Sequence, residues 1–290
     1  MEVFIKETYL NPLTDFGFKK LFFNELNKEL LIDLLNEIVQ EQGKITGIRY
    51  LPTEQLGNDR ENRKAIFDIY CTNEKGEFFI VELQRAREPY FCDRSLYYSS
   101  FPIQNQGKKG IWDFKLKAVY LVAILDFIIF DEPEDENHVV EHVRLLRERT
   151  KTVYSDKLNF VFVELPKFKK EAHELKTNVD RWLFSLKNLS KLDSRPVEVQ
   201  GKIFEKLFKL AEIKQLTPKE METYNKSILE YQDIRRIANY TREEGREEGR
   251  KEGLNRKSIE IARNCLKEGL SIEFIAKITG LSSEQIKALN

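Results

Sequence analysis

The stretch that decides the fold spans residues 65–84 and reads Ala65-Ile66-Phe67-Asp68-Ile69-Tyr70-Cys71-Thr72-Asn73-Glu74-Lys75-Gly76-Glu77-Phe78-Phe79-Ile80-Val81-Glu82-Leu83-Gln84. Two runs rich in apolar, β-branched and aromatic residues flank a short turn that contains a glycine, which predicts two antiparallel strands joined as a hairpin. A three-residue loop with Gly76 in the left-handed conformation sets Asn73 opposite Glu77. Counting back along the hairpin then sets Asp68 opposite Glu82.

The two carboxylates of this hairpin indicate a metal site. Opposed residues on one face of an antiparallel pair have Cβ atoms about 5 Å apart, so Asp68 and Glu82 can bind one small divalent cation between them. Carboxylates inside apolar strands are costly unless a charge neutralises them. The simpler interpretation places both side chains in solvent on one face of a half-exposed sheet. The nearly continuous apolar run around Glu82 argues against it, because such runs are typical of strands covered on both faces.

The hairpin belongs to a longer pattern that resembles the PD-(D/E)XK nuclease superfamily. An Asp and a Glu-x-Gln, with 13 residues between Asp and Glu, follow a helical segment that begins Asp15-Phe16-Gly17-Phe18-Lys19-Lys20-Leu21-Phe22. The match continues through Arg85-Ala86 and through residues 93–99 and 109–116. More narrowly, the pattern is similar to the Rpn-type recombination-promoting nucleases, also described as PD-(D/E)XK family putative transposases. It covers roughly residues 8–130, and the glycine-repeat tail is also typical of that family.

This resemblance implies an α/β fold with a restriction-endonuclease-like core, in which helices flank a mixed sheet, followed by an all-helical C-terminal region. It also implies that Asp68 and Glu82 are the catalytic carboxylates and that Asp15 is the early acidic residue. Gln84 occupies the position at which the superfamily often has lysine. Two alternatives stay open at the early position: Asp15 can simply cap its helix, and Glu54 can take the acidic role.

The implied chemistry uses hard oxygen ligands. Asp68, Glu82 and the backbone carbonyl of Leu83 would bind Mg²⁺, which Mn²⁺ can replace, and the metal would lower the pKa of a bound water. Gln84 can position that water by a hydrogen bond but brings no charge. Three arginines are candidates for contacts to the DNA phosphates: Arg85, Arg87 and Arg94.

The function expected from these residues is a metal-dependent DNA endonuclease associated with recombination or mobile elements. The alternative is a catalytically weak or inactive DNA-binding or assembly protein that keeps the nuclease fold, since Gln84 replaces a lysine. A transposase of the ribonuclease-H type fits less well, because Asp68 and Glu82 belong to one hairpin.

The composition limits the partners. Lys+Arg and Asp+Glu number 48 each, so a nucleic acid would have to be held by a local basic patch. The three cysteines are widely spaced and imply neither a disulfide framework nor a zinc site. No apolar run reaches the roughly 18 residues that a membrane-spanning helix needs, so we expect a cytoplasmic protein without a membrane partner.

Four regions are expected along the chain: a nuclease-like core over residues 1–170, a helical extension over 171–240, a charged glycine-repeat linker or helix over 241–257, and a small helical tail over 258–290. Apolar spacing predicts helix over residues 12–39, with a break near residues 24–28. A helix is also expected over residues 139–151, with His138 directly before it and His142 within it.

The tail resembles a helix-turn-helix, with Ala276 four residues before Gly280 and Ile286 six residues after it. Its second helix offers Gln285 and Lys287 for DNA contacts, which is a sparse set for a DNA reader. A docking unit, or homo-oligomerisation through the C-terminal helices, is an equally good interpretation.

Overall fold

The hairpin forms two neighbouring strands of a six-stranded mixed sheet in the computed structural model, which describes residues 7–39, 43–55, 64–107, 110 and 112–289. The strands are β1 (Ile48–Tyr50), β2 (Glu54–Gln55), β3 (Ala65–Ile66), β4 (Ile69–Asn73), β5 (Phe78–Gln84), β6 (Val119–Leu125), β7 (Val140–Leu146) and β8 (Val153–Glu164). The helices are α1 (Asp15–Phe22), α2 (Lys28–Val39), α3 (Phe91–Gln104), α4 (Asn178–Asn188), α5 (Lys202–Ala211), α6 (Pro218–Lys267), α7 (Ile272–Thr279) and α8 (Ser283–Lys287). The fold class predicted from the sequence is confirmed.

The sheet has the order β1-β4-β5-β6-β8-β7. Strands β5, β6 and β8 run parallel, and the three remaining pairings are antiparallel. Because parallel strands end at the same edge, Gln84, Leu125 and Glu164 lie side by side where β5, β6 and β8 end. The candidate catalytic residues therefore lie near the edge at which the parallel strands terminate.

The turn of the hairpin fixes the register as predicted. Gly76 has φ +77°, and the Asn73 N–H donates to the Glu77 carbonyl oxygen at 3.1 Å. Ile69 pairs with Val81, the register that places Asp68 opposite Glu82.

One detail of the first strand is wrong in the prediction, because residues 65–71 do not form a single strand. Ala65–Ile66 pairs with β2 in a separate two-stranded sheet, and the main strand starts only at Ile69. The Phe67 N–H donates to the Thr53 carbonyl oxygen, which draws this part of the chain away from β5. Asp68 therefore lies at a break in the strand.

Helices cover both faces of the sheet. One face packs against α1, α2, α4, α5 and the first turns of α6 in a large apolar core, in which Trp182 is fully buried. The other face packs against α3 through a smaller core with Phe67, Ile80 and Phe162. The predicted break between the first two helices is present, since a single turn of 3₁₀ helix at Glu25–Asn27 separates them.

The helix expected over residues 139–151 is wrong, because this segment contains strand β7 and a turn. Val143 lies opposite Phe160 in an antiparallel ladder with β8. The spacing of apolar residues fits a helix and a strand about equally well, and pairing with the long neighbouring strand decides the outcome. His142 is consequently a strand residue.

Contacts between Cα atoms divide the chain into two compact units, Met1–Ile234 and Arg235–Asn290. At the start of helix α6, the Glu220 N–H donates to Thr217 Oγ1, and the Thr217 N–H donates to Glu220 Oε2. The second unit has its own apolar cluster, which includes Ala262, Ile275 and Ile286. Among the described residues, no helix has the length and apolarity that crossing a membrane requires.

Candidate active site

Asp68 and Glu82 are linked by hydrogen bonds from backbone N–H groups to their carboxylates. The Asp68 N–H donates to Glu82 Oε1 at 3.3 Å, and the Leu83 N–H donates to Asp68 Oδ2 at 2.8 Å. Both contacts depend on the break at the start of β4, because a regular ladder would use backbone carbonyls instead. The structure thus brings together the two carboxylates singled out from the sequence.

Glu82 is buried and Asp68 is half-buried, in surroundings where charge is costly. Glu82 is only 4% exposed, and burial together with the nearby charge of Asp68 raises its pKa to about 8. Burial also raises the pKa of Asp68, while the hydrogen bond from the Leu83 N–H lowers it. Without a cation, the pair therefore holds a proton more readily than two solvated carboxylates would.

Gln84 lies next to this pair and contacts Glu82. Its side chain shares a hydrogen bond with the Glu82 carboxylate, which lowers the pKa of Glu82. The contact follows from the alternation of a strand, which puts residues 82 and 84 on the same face. An amide at this position orients the carboxylate but adds no positive charge.

Two of the three predicted arginines lie close to the carboxylates. The positive charge of Arg94 lowers the pKa of Glu82, and that of Arg85 lowers the pKa of Asp68. Arg85 Nη1 and Arg94 Nη2 are buried and have no hydrogen-bond partner among the residues that the structure describes. Arg87 is exposed.

The early acidic position lies at the head of α1. Asp15 is 42% exposed and pairs with Lys19 Nζ at 2.7 Å, and the helix cap is supplied by Thr14. The charge of Asp15 raises the pKa of Asp68, whereas that of Lys19 lowers it. Lys19 is a charged neighbour of the candidate site that was not predicted from the sequence, although its i,i+4 spacing from Asp15 is readable in the quoted motif. The other early candidate, Glu54, is exposed and pairs with Lys64 at 2.8 Å.

A further carboxylate beside the site comes from the next strand. The Asp126 N–H donates to the Gln84 carbonyl oxygen at 2.9 Å, and Asp126 Oδ2 accepts a hydrogen bond from the Tyr231 hydroxyl at 2.9 Å. The sequence signal was present, since Asp126 interrupts an apolar run. Nothing in the local sequence predicts that Tyr231, about a hundred residues later, would reach it.

The hairpin offers carboxylate and carbonyl oxygens, which are the ligands that a hard divalent cation prefers. In the described part of the chain, no three His, Cys, Asp or Glu side chains form a group that could hold a metal. Mg²⁺ nevertheless often binds through one or two carboxylates and completes its shell with water and substrate phosphates. A divalent cation beside Asp68 and Glu82 would also offset the electrostatic cost of ionising both groups.

Comparison with known families gives two matches that together cover most of the chain. Residues 12–241 match the family model described as PD-(D/E)XK nuclease family transposase. Residues 255–290 match the model described as Rpn/YhgA-like nuclease family, C-terminal HTH domain. No curated protein and no solved structure matches the chain. Because the first match covers well over half of the sequence, the chain belongs to the PD-(D/E)XK nuclease family transposases.

Proposed function

We propose that this protein is a divalent-metal-dependent DNA endonuclease that hydrolyses phosphodiester bonds in recombination or in the movement of mobile elements. The observation that carries the proposal is the pairing of buried Glu82 with half-buried Asp68, whose carboxylates accept hydrogen bonds from the Asp68 and Leu83 N–H groups at the strand break. Two desolvated carboxylates held in this way are poorly explained by stability alone.

Each residue of the hairpin has a distinct task in this proposal. Asp68, Glu82 and the Leu83 carbonyl hold the cation, Mg²⁺ or Mn²⁺, and Gln84 orients Glu82 and the attacking water. The bound cation would lower the pKa of that water and offset charge on the phosphate. Asp15 contributes through water at the edge of the site. The guanidinium groups of Arg85, Arg87 and Arg94 contact the phosphates.

Hydrolysis of the phosphodiester then needs only water as co-reactant. The water oxygen bonds to phosphorus, one P–O bond of the DNA backbone breaks, and the leaving oxygen takes up a proton. The Asp68–Glu82 pair supports this step because its carboxylates are held by hydrogen bonds before the substrate arrives, so little reorganisation is needed.

DNA would be held by local contacts rather than by a global field, because the net charge of the chain is zero. The C-terminal unit is the natural second contact, since it matches a helix-turn-helix model. The last helix presents Gln285 and Lys287 beside Glu284, and homo-oligomerisation through the C-terminal helices is the other role we propose for this region.

The test is nicking of supercoiled plasmid by the purified chain, in Mg²⁺ or in EDTA. We expect nicking by the wild type in Mg²⁺ only, and a loss of at least about 100-fold in Asp68→Asn and in Glu82→Gln. Asp156→Asn is the matched control, because Asp156 is exposed and lies near the start of β8, whereas the site lies where the parallel strands end. Equal nicking by all four proteins would contradict the proposal.

The second candidate is a DNA-binding or assembly protein that has lost robust catalysis. The uncharged Gln84 favours it, since the amide replaces a frequent lysine. Thermal unfolding separates the two: a catalytic centre should be stabilised by Mg²⁺, and the stabilisation should vanish in Asp68→Asn. A scaffold without a metal site should show no such shift.

A further inference from the structure

The candidate site has an excess of negative charge that Gln84 does not offset. Asp68, Glu82 and a bound phosphodiester would together bring three negative charges to one buried place. A cation bound by the carboxylates offsets part of this charge. A fixed positive side chain is still needed where negative charge develops on the phosphate.

Arg94 is a positive side chain held rigidly beside Glu82. Its Nη1 atom is 2.5 Å from Glu88 Oε2. The guanidinium also lies over the rings of Phe91 and Tyr98, with its carbon atom 5.1 Å and 5.8 Å from the ring centroids. These contacts restrict the rotamer of a side chain that is otherwise flexible, so the guanidinium is set in place before any ligand binds.

The same guanidinium leaves one nitrogen without a partner. Arg94 Nη2 is buried and donates to no protein oxygen among the described residues, although the Arg94 side chain as a whole is 28% exposed. A buried donor without an acceptor is destabilising, and more so when the group is charged. Structural packing explains the Glu88 and aromatic contacts but not this free donor, whereas an anionic oxygen at the site would satisfy it.

Arg85 shows the same pattern toward the other carboxylate. Its Nη1 atom is also buried without a partner in the described part of the chain, and its charge lowers the pKa of Asp68. The charge of Arg94 likewise lowers the pKa of Glu82. Each carboxylate is therefore under the influence of a guanidinium group that has an unpartnered buried donor.

We propose that Arg94 supplies the positive charge that a lysine at position 84 would bring. Its Nη2 donates to a non-bridging oxygen of the reacting phosphate, and Glu88 is the positioning residue for the guanidinium. This inference rests on the proposed nuclease function. It assigns the positive charge at the phosphate to helix α3 rather than to strand β5. Arg85 serves as the second phosphate contact.

The experiment uses the whole chain and moves the positive charge from position 94 to position 84. Arg94→Gln should lower the nicking rate by about 100-fold, and Glu88→Gln by less, since the guanidinium is then present but less well placed. Adding Gln84→Lys to Arg94→Gln should restore at least about tenfold of the lost rate, because the charge returns from the strand. Arg149→Gln is the control for loss of one arginine, since Arg149 is exposed in the turn between β7 and β8.

DNA binding gives a readout that does not depend on cleavage. We would measure affinity for a short duplex against salt concentration in EDTA, which prevents metal-dependent cleavage of the duplex. The slope of log K against log salt should fall by about one in Arg94→Gln and stay unchanged in Gln84→Ala. Thermal unfolding of each variant reports any structural damage.

The outcomes separate this inference from the nuclease proposal. Wild-type chain that binds DNA without nicking it would contradict the nuclease function, while a reduced salt slope in Arg94→Gln would still support the phosphate contact. Wild-type rate and slope in Arg94→Gln would overturn the assignment. A second result would also overturn it: Arg94→Gln melts at a lower temperature, its salt slope is unchanged, and adding Gln84→Lys restores no activity. A purely structural arginine would behave in that way.

Discussion

At the scale of single residues, Glu82 is a group whose charge the fold tolerates poorly. Burial and the charge of Asp68 oppose its ionisation, and the charge of Arg94 and the hydrogen bonds from the Asp68 N–H and Gln84 offset only part of the cost. The balance leaves a carboxyl group that is neutral at low pH and that a bound cation would ionise. Occupancy by a cation and the protonation of Glu82 should therefore compete.

The first prediction concerns stability against pH. The pKa of Glu82 rises from 4.5 in the unfolded chain to about 8 in the folded one, so the folded state binds more protons between these values. Stability should then fall as pH rises through this range, by up to about 1.4 kcal/mol per pH unit. Glu82→Gln, which cannot ionise, should show a flatter profile.

The measurement is urea unfolding in EDTA at pH 5, 6, 7 and 8, followed by fluorescence of the buried Trp182. The difference in free energy of unfolding between Glu82→Gln and wild type should grow with pH, and Mg²⁺ should reduce it at pH 8. Parallel profiles for the two proteins would contradict a raised pKa at this position.

At the scale of elements, helix α1 depends on a tight turn before its first residue. Thr14 Oγ1 donates to the Asn11 carbonyl oxygen at 2.8 Å and accepts from the Gly17 N–H at 3.0 Å. A Cβ on Gly17 would overlap the Asn11 carbonyl oxygen and lie 2.8 Å from Thr14 Oγ1. The turn therefore requires glycine for space.

The second prediction is that Gly17→Ala lowers the free energy of unfolding by about 1–3 kcal/mol, because the turn must open to admit the methyl group. Gly47→Ala is the matched control, since a Cβ there meets no atom within 4 Å, and its effect should stay within about 0.5 kcal/mol. Urea unfolding of both variants checks this. Equal stabilities would mean that the turn adapts at little cost.

The elements also show how far the sequence could predict the structure. The hairpin and its register followed from turn chemistry and alternation, which act over a few residues. The strand at residues 140–146 did not, because its apolar spacing suits either structure and only the partner β8 decides. The break before Ile69 was not predicted for a related reason. It depends on the hydrogen bond from the Phe67 N–H to the Thr53 carbonyl oxygen, which joins two segments and cannot be predicted from local propensity.

The candidate site likewise contains residues that the local sequence indicates and residues that only the packing of distant segments brings together. Asp68, Glu82 and Gln84 were readable because they share one hairpin. Lys19 and the free donors of Arg85 and Arg94 depend on how α1 and α3 pack against the sheet. Tyr231 lies still further away in sequence from its partner Asp126, so no local pattern could connect them.

At the scale of the whole molecule, the two compact units have separate apolar cores. The four fully or largely buried apolar residues of the second unit, Ala262, Ile275, Leu281 and Ile286, form a cluster of their own. Each core can therefore supply stability for its own unit.

The third prediction is that ending the chain at residue 254 changes the free energy of unfolding of the first unit by less than about 1 kcal/mol, because no side chain of its cores is removed. Trp182 fluorescence in urea reports this unit. Ile275→Ala in the full chain is the companion variant, since it should destabilise only the tail. A large loss in the shortened chain would show that the two units fold as one.

The register of the hairpin has a consequence for how this chain can change in evolution. A shift of pairing by one residue would turn the side chain of Glu82 to the opposite face of the sheet. The five residues Asn73–Glu77 therefore control a site that none of them touches. Substitutions at the exposed turn positions should be accepted readily, whereas a single insertion or deletion there should abolish activity, so selection acts on the length of this turn more than on its composition.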